Sequence, residues 1–323
     1  MPETLTGTLA EAVRIVFAGT PEFAVPALDA LAGEELCAVL TAPDRPAGRR
    51  GTPQAPPVKR RAAARGLVVL QPQRIGRSFS AELAALQPDL LVAVAYGKIF
   101  RPYFLDVFAR GGVNVHPSLL PELRGPAPIP AAILAGAART GVTVQRLAAA
   151  VDAGDILAQK VVALGRSETS ASLAPRLAQV GADLLREVVD AIAAGRETAR
   201  AQEESAATWC GLLSKEQGRI DWRQPADAIE RAVRAYQPWP RAFTTWAGRQ
   251  LAILAAAPVA DGTAMPAGAP GQVVGVDKRL GILVRAGRHG LWVRELQLQG
   301  KKPLQWQAFV NGHPGIARAR LGE

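Results

Sequence analysis

Residues 14–42 read RIVFAGTPEFAVPALDALAGEELCAVLTA and alternate between two apolar patterns. The segments 14–19 and 36–42 are short, continuously apolar runs, which are typical of strands buried on both faces of a sheet. Between them, residues 26–32 have the composition of a short helix that begins with a proline. A strand, a crossover helix and a second strand make a βαβ unit, so this stretch predicts an α/β fold with a mostly parallel sheet.

The same alternation continues well beyond this unit. The predicted elements are strands at 67–70 and 89–95, helices at 56–65 and 81–86, hairpin arms at 140–147 and 156–164, and a closing helix at 170–194. The topology is Rossmann-like, but Gly19-Thr20-Pro21-Glu22 follows the first strand instead of a G-x-G-x-x-G or G-x-x-x-x-G-K-[ST] loop. A dinucleotide or ATP cofactor is therefore not expected.

The chain changes character near residue 207. Residues 196–207 are polar and predict a linker, and a helix is expected at 226–235. Five short strands separated by Gly, Pro and Asp follow, near 241–246, 250–257, 271–276, 280–285 and 290–298. Many short strands with such turns predict a small OB-like β-barrel. We therefore expect a Rossmann-like domain over 1–207, including the linker, and an OB-like domain over 208–323.

The net charge of +10 is concentrated in the second domain. Residues 1–207 carry 22 basic and 20 acidic side chains, whereas residues 208–323 carry 16 and 8. A basic module of this kind is expected for a partner with a phosphate backbone. The alternative is that an arginine-rich surface reflects a GC-rich coding bias, because arginine far outnumbers lysine.

Targeting and redox features predict a cytoplasmic protein without a membrane span. No run approaches the roughly 18 apolar residues that a membrane-spanning helix requires. The N-terminal sequence MPETLTGTLAEAV is acidic and lacks the basic and apolar regions of a signal peptide. The two cysteines, Cys37 and Cys210, are far apart and lack metal-ligand spacing, so we expect reduced thiols.

Three polar residues suggest a reaction. Asn114 and His116 lie two residues apart, so on an extended segment their side chains project from one face. Thirty-six residues later, Asp152 stands in the turn-like sequence V-D-A-G-D between two apolar runs. An amide, an imidazole and a carboxylate can polarise a carbonyl, stabilise its oxyanion and take up a proton, which suits acyl transfer. The alternative is a structural histidine on a strand and a turn-forming asparagine.

The residues around this set form a longer signature. In chain order it comprises Asn114-x-His116, Ser118-Leu119-Leu120-Pro121, Arg124-Gly125 and Asp152-x-Gly154. This order resembles the signature of the 10-formyltetrahydrofolate-dependent formyltransferases. The resemblance implies that Asn114 and His116 donate to the oxyanion of a tetrahedral intermediate, and that Asp152 orients the imidazole and collects a proton. It implies neither a metal nor a covalent intermediate.

The resemblance also indicates where 10-formyltetrahydrofolate, the formyl donor, binds. Val94-Ala95-Tyr96-Gly97 is similar to the strand end at the family's folate pocket. The residues implied in folate binding are Tyr96, Gly97, Ser118, Leu119, Leu120 and Pro121. The resemblance further implies a cis peptide bond between Leu120 and Pro121.

Other motifs resemble the branch of the family that formylates methionine on initiator tRNA. They are AGTPEFA at 18–24, DRPAGR at 44–49, LSKE at 213–216, IDW at 220–222 and RAYQPWP at 234–240. This resemblance implies initiator methionyl-tRNA as a partner and implies Arg45, Arg49 and Arg50 as tRNA-binding residues in a basic loop; we expect a monomer. The chain departs from the family pattern at Ala148-Ala149-Ala150, where an acidic residue is usual.

Two other functions stay open on the sequence alone. One is another folate-dependent formyltransferase acting on a ribonucleotide or sugar amine, which would not need residues 208–323. The other is an inactive RNA-binding protein on the same fold, which would bind RNA without transferring a formyl group. The intact set of Asn114, His116 and Asp152 argues against the second function.

Overall fold

The structure is a computed structural model that describes residues 13–47, 51–260 and 262–323. The chain forms two compact units. The first unit comprises the described residues up to 125 together with 140–163 and 174–209. The second comprises 126–139, 164–173 and the described residues from 210 onward. Each unit therefore draws on more than one segment of the chain.

The described residues of the first unit form nine strands. They are β1 (Arg14–Gly19), β2 (Glu35–Leu40), β3 (Arg45–Ala47), β4 (Thr52–Gln54), β5 (Val69–Leu70), β6 (Leu90–Val94), β7 (Gly112–His116), β8 (Arg139–Arg146) and β9 (Ile156–Ala163). The helices of the described chain are α1 (Val25–Ala30), α2 (Pro57–Ala64), α3 (Arg77–Ala84), α4 (Pro102–Leu105), α5 (Pro128–Leu134), α6 (Ser170–Ala193), α7 (Ala226–Ala235) and α8 (Trp306–Gly312).

Seven of these strands make one sheet in the order β5-β2-β1-β6-β7-β8-β9. The pairs from β5 to β7 are parallel, and β7 pairs with β8 in the antiparallel sense. All five residues of β6 are buried, as a central strand covered on both faces requires. The predicted mostly parallel α/β domain is confirmed, and the two predicted hairpin arms are the neighbouring strands β8 and β9.

Helix α6 packs closely against the strands that carry the polar residues. A Cβ atom at Gly181 would lie 2.8 Å from Val115 Cγ1 on β7 and 3.2 Å from Val142 Cγ1 on β8. Only glycine allows the helix to approach both strands at this distance. The apolar face of α6 therefore sets the position of β7 and β8 from one side of the sheet.

The second unit is an antiparallel sheet domain. Its additional strands are β10 (Ala242–Trp246), β11 (Arg249–Pro258), β12 (Val273–Asp277), β13 (Gly281–Arg285), β14 (Gly290–Leu298) and β15 (Leu304–Gln305). The order is β10-β11-β14-β13-β12, and β15 pairs with β14. Alternating residues of these strands share one core with α7 and α8, including Ile229, Leu251, Val293 and Phe309. This arrangement is consistent with the predicted small barrel.

Several elements were not predicted from the sequence. Helix α5 has the sequence PIPAAIL, whose two prolines favour a loop reading, although proline is tolerated in the first turn of a helix. Helix α8 has only seven residues, and β3 and β4 pair in the antiparallel sense within the segment 44–65. Cys37 and Cys210 are both half-buried and are not joined in a disulfide, and no described helix is long and apolar enough to cross a bilayer.

Candidate active site

Asn114 and His116 point from one face of β7 at the edge where the parallel strands end. In the register between β7 and β8, Asn114 stands opposite Gln145 and His116 stands opposite Thr143. The side chains of all four residues therefore share one face of the sheet. His116 is only 4% exposed, whereas Asn114 is half-buried. The spacing inferred from the sequence thus brings the amide and the imidazole together.

Asp152 reaches the same place from the loop between β8 and β9. Its Oδ1 accepts hydrogen bonds from Gln145 Nε2 at 2.9 Å and from Asn114 Nδ2 at 3.4 Å. Its Oδ2 accepts from the backbone N–H of Gly125 at 2.9 Å. The carboxylate thus accepts hydrogen bonds from three donors. The structure therefore brings the three predicted polar residues together.

The backbone of the Asp152 loop is in an unusual conformation. Asp152 has a φ of 51°, in the left-handed region that non-glycine residues seldom adopt. Two residues later, a Cβ atom at Gly154 would collide with the carbonyl oxygen of Arg146. Aspartate at a positive φ next to an obligatory glycine marks a loop that its surroundings must hold in place.

The imidazole of His116 is held on both sides by oxygen atoms. Nε2 lies 2.9 Å from the carbonyl oxygen of Leu123, which accepts only, so Nε2 carries a hydrogen and donates. Nδ1 lies 3.5 Å from Asp152 Oδ2. At 3.5 Å the contact is too long for a good hydrogen bond, which leaves Nδ1 available to another partner.

Residues 196–209, which include the predicted polar linker at 196–207, make specific contacts within the first unit. Arg146 pairs with Glu197 at 2.8 Å, and Ile156 and Arg200 exchange backbone hydrogen bonds. Gln202 Nε2 donates to the carbonyl oxygens of Asp152 at 2.9 Å and Gly154 at 2.7 Å. The segment therefore lies along the loop that presents the carboxylate.

The end of this segment holds a second loop of the site, the one that follows β7. Thr208 Oγ1 accepts from the backbone N–H of Leu123 at 2.8 Å, and its carbonyl accepts from Arg124 at 2.9 Å. The guanidinium of Arg124 is 1% exposed, and it donates two hydrogen bonds to the carboxylate of Glu204, at 2.9 and 2.8 Å. These bonds hold the pKa of Glu204 below its usual range. Arg124, part of the signature, is thus buried between elements of the protein.

Tyr96 lies two residues beyond β6, at the same edge of the sheet. Its ring is buried at one end of an aromatic series with Phe100, Phe104 and Phe108, whose successive centroids lie 5.2–5.5 Å apart. The first two pairs are stacked and the last pair meets edge-on. Burial raises the pKa of Tyr96 to about 12, so the phenol is neutral and carries a proton that it can donate. Among the described residues this hydroxyl has no hydrogen-bond partner, and Gly97 beside it has a φ of 78° with open space around it.

The backbone of the segment Ser118–Pro121 is hydrogen-bonded to β8. Thr143 Oγ1 donates to the carbonyl of Ser118 at 2.7 Å and accepts from the N–H of Leu120 at 3.1 Å. The Ser118 hydroxyl is buried and donates to the carbonyl of Glu122 at 2.6 Å. The bond between Leu120 and Pro121 is cis, as predicted. Leu119 packs against Gly141, where a Cβ atom would meet its side chain.

The predicted basic loop is described only in part. Arg45 lies exposed on β3, whereas Arg49 and Arg50 lie outside the described residues. Lys59 of the same basic segment is paired with Asp44 at 2.8 Å. Within the described ranges, no group of three or more His, Cys, Asp or Glu side chains is arranged to hold a metal ion.

Gln145 and Gln202 both contact Asp152, and neither was predicted from the sequence. Gln145 is 2% exposed, and its place two residues after Thr143 on a strand rich in β-branched residues was a signal that the sequence contained. Gln202 offered no comparable signal, because its polar neighbours are typical of a linker. Its contacts arise only from the tertiary fold.

Comparison with known proteins gives consistent matches. Residues 13–189 match the Formyl transferase family, and residues 212–314 match the Formyl transferase C-terminal domain. The chain is 44% identical over 313 residues to a methionyl-tRNA formyltransferase of Treponema denticola, covering 94% of this chain and 97% of that protein. It is 45% identical over 315 residues to the methionyl-tRNA formyltransferase of Chloroflexus aurantiacus, covering 96% and 100%.

A solved structure with a similar fold is the N-formyltransferase of Helicobacter canadensis in complex with folinic acid and dTDP-3-aminofucose. The TM-score is 0.64 at 14% identity, covering 87% of this chain and 98% of that one. At this identity the likeness concerns the fold alone.

Proposed function

The chain belongs to the formyl transferase family, and we propose that it transfers the formyl group of 10-formyltetrahydrofolate to the α-amino group of methionine on initiator methionyl-tRNA. This reaction serves translation initiation. The observation that carries the proposal is the convergence of Asn114, His116 and Asp152 at the end of the parallel strands. Relatives identical at 44–45% over nearly their whole length bear the name of this activity.

The first step is attack of the amine nitrogen on the formyl carbon. A C–N bond forms and the formyl oxygen becomes an oxyanion, which needs donors placed before the charge develops. Asn114 is half-buried, and its 3.4 Å contact to Asp152 is long, so its amide has donor capacity for this oxygen. His116 Nδ1 supplies the second donor and, when protonated, a positive charge beside it.

The second step breaks the bond between the formyl carbon and N10 of the folate. The amine loses a proton as the new bond forms, and N10 takes up a proton as it leaves. Asp152 collects the first proton directly or through water, and the pair with His116 returns it to the leaving nitrogen. Atoms and charges balance, because the products are the formyl-amide and tetrahydrofolate.

The folate is bound at the edge of the sheet beside this set. We assign binding to Tyr96, Gly97 and the segment Ser118–Pro121, as the sequence resemblance implies. The Tyr96 hydroxyl supports the assignment, because a buried donor without a partner among the described residues is expected to bind a ligand. The backbone of Gly97 leaves open space next to it.

We assign tRNA binding to residues 208–323 and to the basic segment that contains Arg45, Arg49 and Arg50, with catalysis in 1–207. Support comes from a cluster at one end of the antiparallel sheet, where β10–β11, β12–β13 and β14–β15 turn. Six exposed cations form this cluster, here called the basic end: Arg249, Lys278, Arg279, Arg294, Lys301 and Lys302. Such a surface suits the phosphates of an RNA.

Reversing charge at the basic end should weaken tRNA binding. We expect Lys301→Glu together with Lys302→Glu to raise the KM for methionyl-tRNA about tenfold, because two phosphate-neutralising charges become repulsive. The KM for the folate should stay within about twofold, and wild-type affinity for tRNA should fall steeply as salt rises. Steady-state kinetics at two salt concentrations measures both quantities.

A matched control separates the local surface from net charge. Arg318→Glu with Arg320→Glu changes the charge equally, but Arg320 lies beside the start of β12, at the opposite end of the sheet. This variant should leave the KM for tRNA within about twofold of wild type. An equal rise in both variants would mean that total charge, and not the basic end, governs binding.

Kinetics can distinguish methionyl-tRNA from an amino sugar as the acceptor of the formyl group. We expect kcat/KM for methionyl-tRNA to exceed that for a nucleotide-linked amino sugar by about a thousandfold or more, because the sugar offers no extended phosphate backbone to the basic end. Comparable values for both acceptors would favour the sugar amine.

We further propose that the protein acts as a monomer in the cytoplasm.

A further inference from the structure

We infer that Gln202 is a positioning residue for Asp152, acting through hydrogen bonds that connect the buried Arg124 with the catalytic loop. The inference rests on the proposed function and adds a residue to it. Gln202 lies fifty residues beyond Asp152, within residues 196–207, whose composition predicts a linker. It is half-buried, and it reaches both the side chain of Gln145 and the backbone of the Asp152 loop.

The hydrogen bonds from Arg124 through the two glutamines to Asp152 each have a fixed direction. Arg124 has donors only, and its Nε lies 3.1 Å from Gln202 Oε1, so the amide nitrogen of Gln202 must face the other way. That nitrogen approaches Gln145 Oε1 at 3.2 Å. Gln145 Nε2 then donates to Asp152 Oδ1 at 2.9 Å. Along this series the donors therefore run from Arg124 toward the carboxylate, and bonds aligned in this way reinforce one another.

The same nitrogen also holds the backbone of the loop. Its two shortest contacts are to the carbonyl oxygens of Gly154 at 2.7 Å and Asp152 at 2.9 Å. One of these carbonyls belongs to Asp152 itself, whose φ is positive, so the two bonds help keep a strained residue in its conformation. Two hydrogens serve three acceptors, and the longer contact to Gln145 is the weaker of the three.

Arg124, at the other end of this series of hydrogen bonds, is also fixed by its neighbours. Arg124 is bound by Glu204 through two hydrogen bonds, and its guanidinium lies 5.5 Å from the ring centroid of Trp209. The backbone of the neighbouring Gly125 donates to Asp152 Oδ2. The segment 196–209 thus fixes both oxygens of the carboxylate, one through the two glutamines and the other through the loop that carries Arg124.

The test uses Gln202→Glu and Gln202→Met. Glutamate keeps an oxygen that accepts from Arg124, but it replaces the NH₂ group with a second oxygen that faces two carbonyls. The Asp152 loop therefore loses both hydrogen bonds from residue 202. Methionine has a similar size but no polar group. We expect kcat to fall about tenfold in the glutamate variant and somewhat less in the methionine variant, because small displacements of a catalytic group are costly. The KM values for folate and tRNA should stay within about twofold.

Gln179→Glu is the matched control. Gln179 lies exposed on α6, where the same replacement meets only Asp183, and we expect wild-type kinetics. A packing role for Gln202 alone would leave kcat unchanged in the methionine variant. A rise of KM in Gln202→Glu with kcat unchanged would also overturn the inference, since it would indicate lost substrate binding.

Two further readouts separate this inference from the proposed function. In an Asp152→Asn background, Gln202→Glu should change the residual kcat less than about twofold, whereas an independent role predicts the same tenfold loss again. Hydrogen–deuterium exchange of the peptide 148–156 needs no activity. Exchange should quicken in Gln202→Glu and not in Gln179→Glu, and unchanged exchange would overturn the inference even if the acceptor proved not to be tRNA.

Discussion

Replacing Asp152 with asparagine is expected to lower the turnover of formyl transfer by about a hundredfold or more. The change keeps the size of the side chain but removes the negative charge that faces His116 Nδ1. It also places an NH₂ group near the donors that now bind the carboxylate, among them Gln145 Nε2 and the Gly125 N–H. Single-turnover measurement of formyl-methionine formation gives this rate independently of product release.

Asp155→Asn serves as the control for this prediction. Asp155 lies in the same loop and is exposed, so the same chemical change there should leave turnover within about twofold of wild type. Thermal unfolding of both variants checks that the fold is intact. Turnover of Asp152→Asn near the wild-type value would remove the carboxylate from the mechanism.

The second large effect is expected for His116→Ala, which should lower turnover by about a hundredfold. The variant loses the ring whose Nδ1 faces Asp152 and leaves the carbonyl of Leu123 without this partner. Because the folate is assigned to Tyr96 and the segment Ser118–Pro121, its dissociation constant should change less than about threefold. Equilibrium titration with the folate, together with single-turnover rates, separates the two quantities.

Loss of folate binding in His116→Ala would indicate a structural role for this histidine. Near-normal turnover would contradict the assignment of the imidazole to the oxyanion. The predicted result differs from both outcomes, because it is a low rate of formyl transfer with nearly unchanged binding of the folate.

The sheet and its order of elements could be predicted because burial on both faces leaves a simple pattern. The continuous apolar runs of β1 and β6 indicate central strands, and the apolar stripe of α6 indicates a helix lying on the sheet. The start of a helix could not be predicted where polar residues open it. Helix α3 begins at Arg77 rather than near 81, and Ser80 in its first turns bonds back to the carbonyl of Gly76.

The reacting groups could be predicted only as far as they share a local pattern. Asn114 and His116 follow the period of a strand, and Asp152 stands next to a glycine that the turn requires. Gln202 could not be predicted, since its role depends on a segment that folds back across the loop after β8. The buried state of Arg124 likewise depends on Gln202 and Glu204, which are distant in the sequence.

The measurement that tests the central claim most directly is formyl transfer by the purified full-length chain, given 10-formyltetrahydrofolate and initiator methionyl-tRNA. We predict that formyl-methionine accumulates on the tRNA, with one tetrahydrofolate formed per formyl group, and that Asp152→Asn abolishes most of this transfer in the same assay. A folded protein that binds the folate but leaves methionyl-tRNA unformylated would contradict the account.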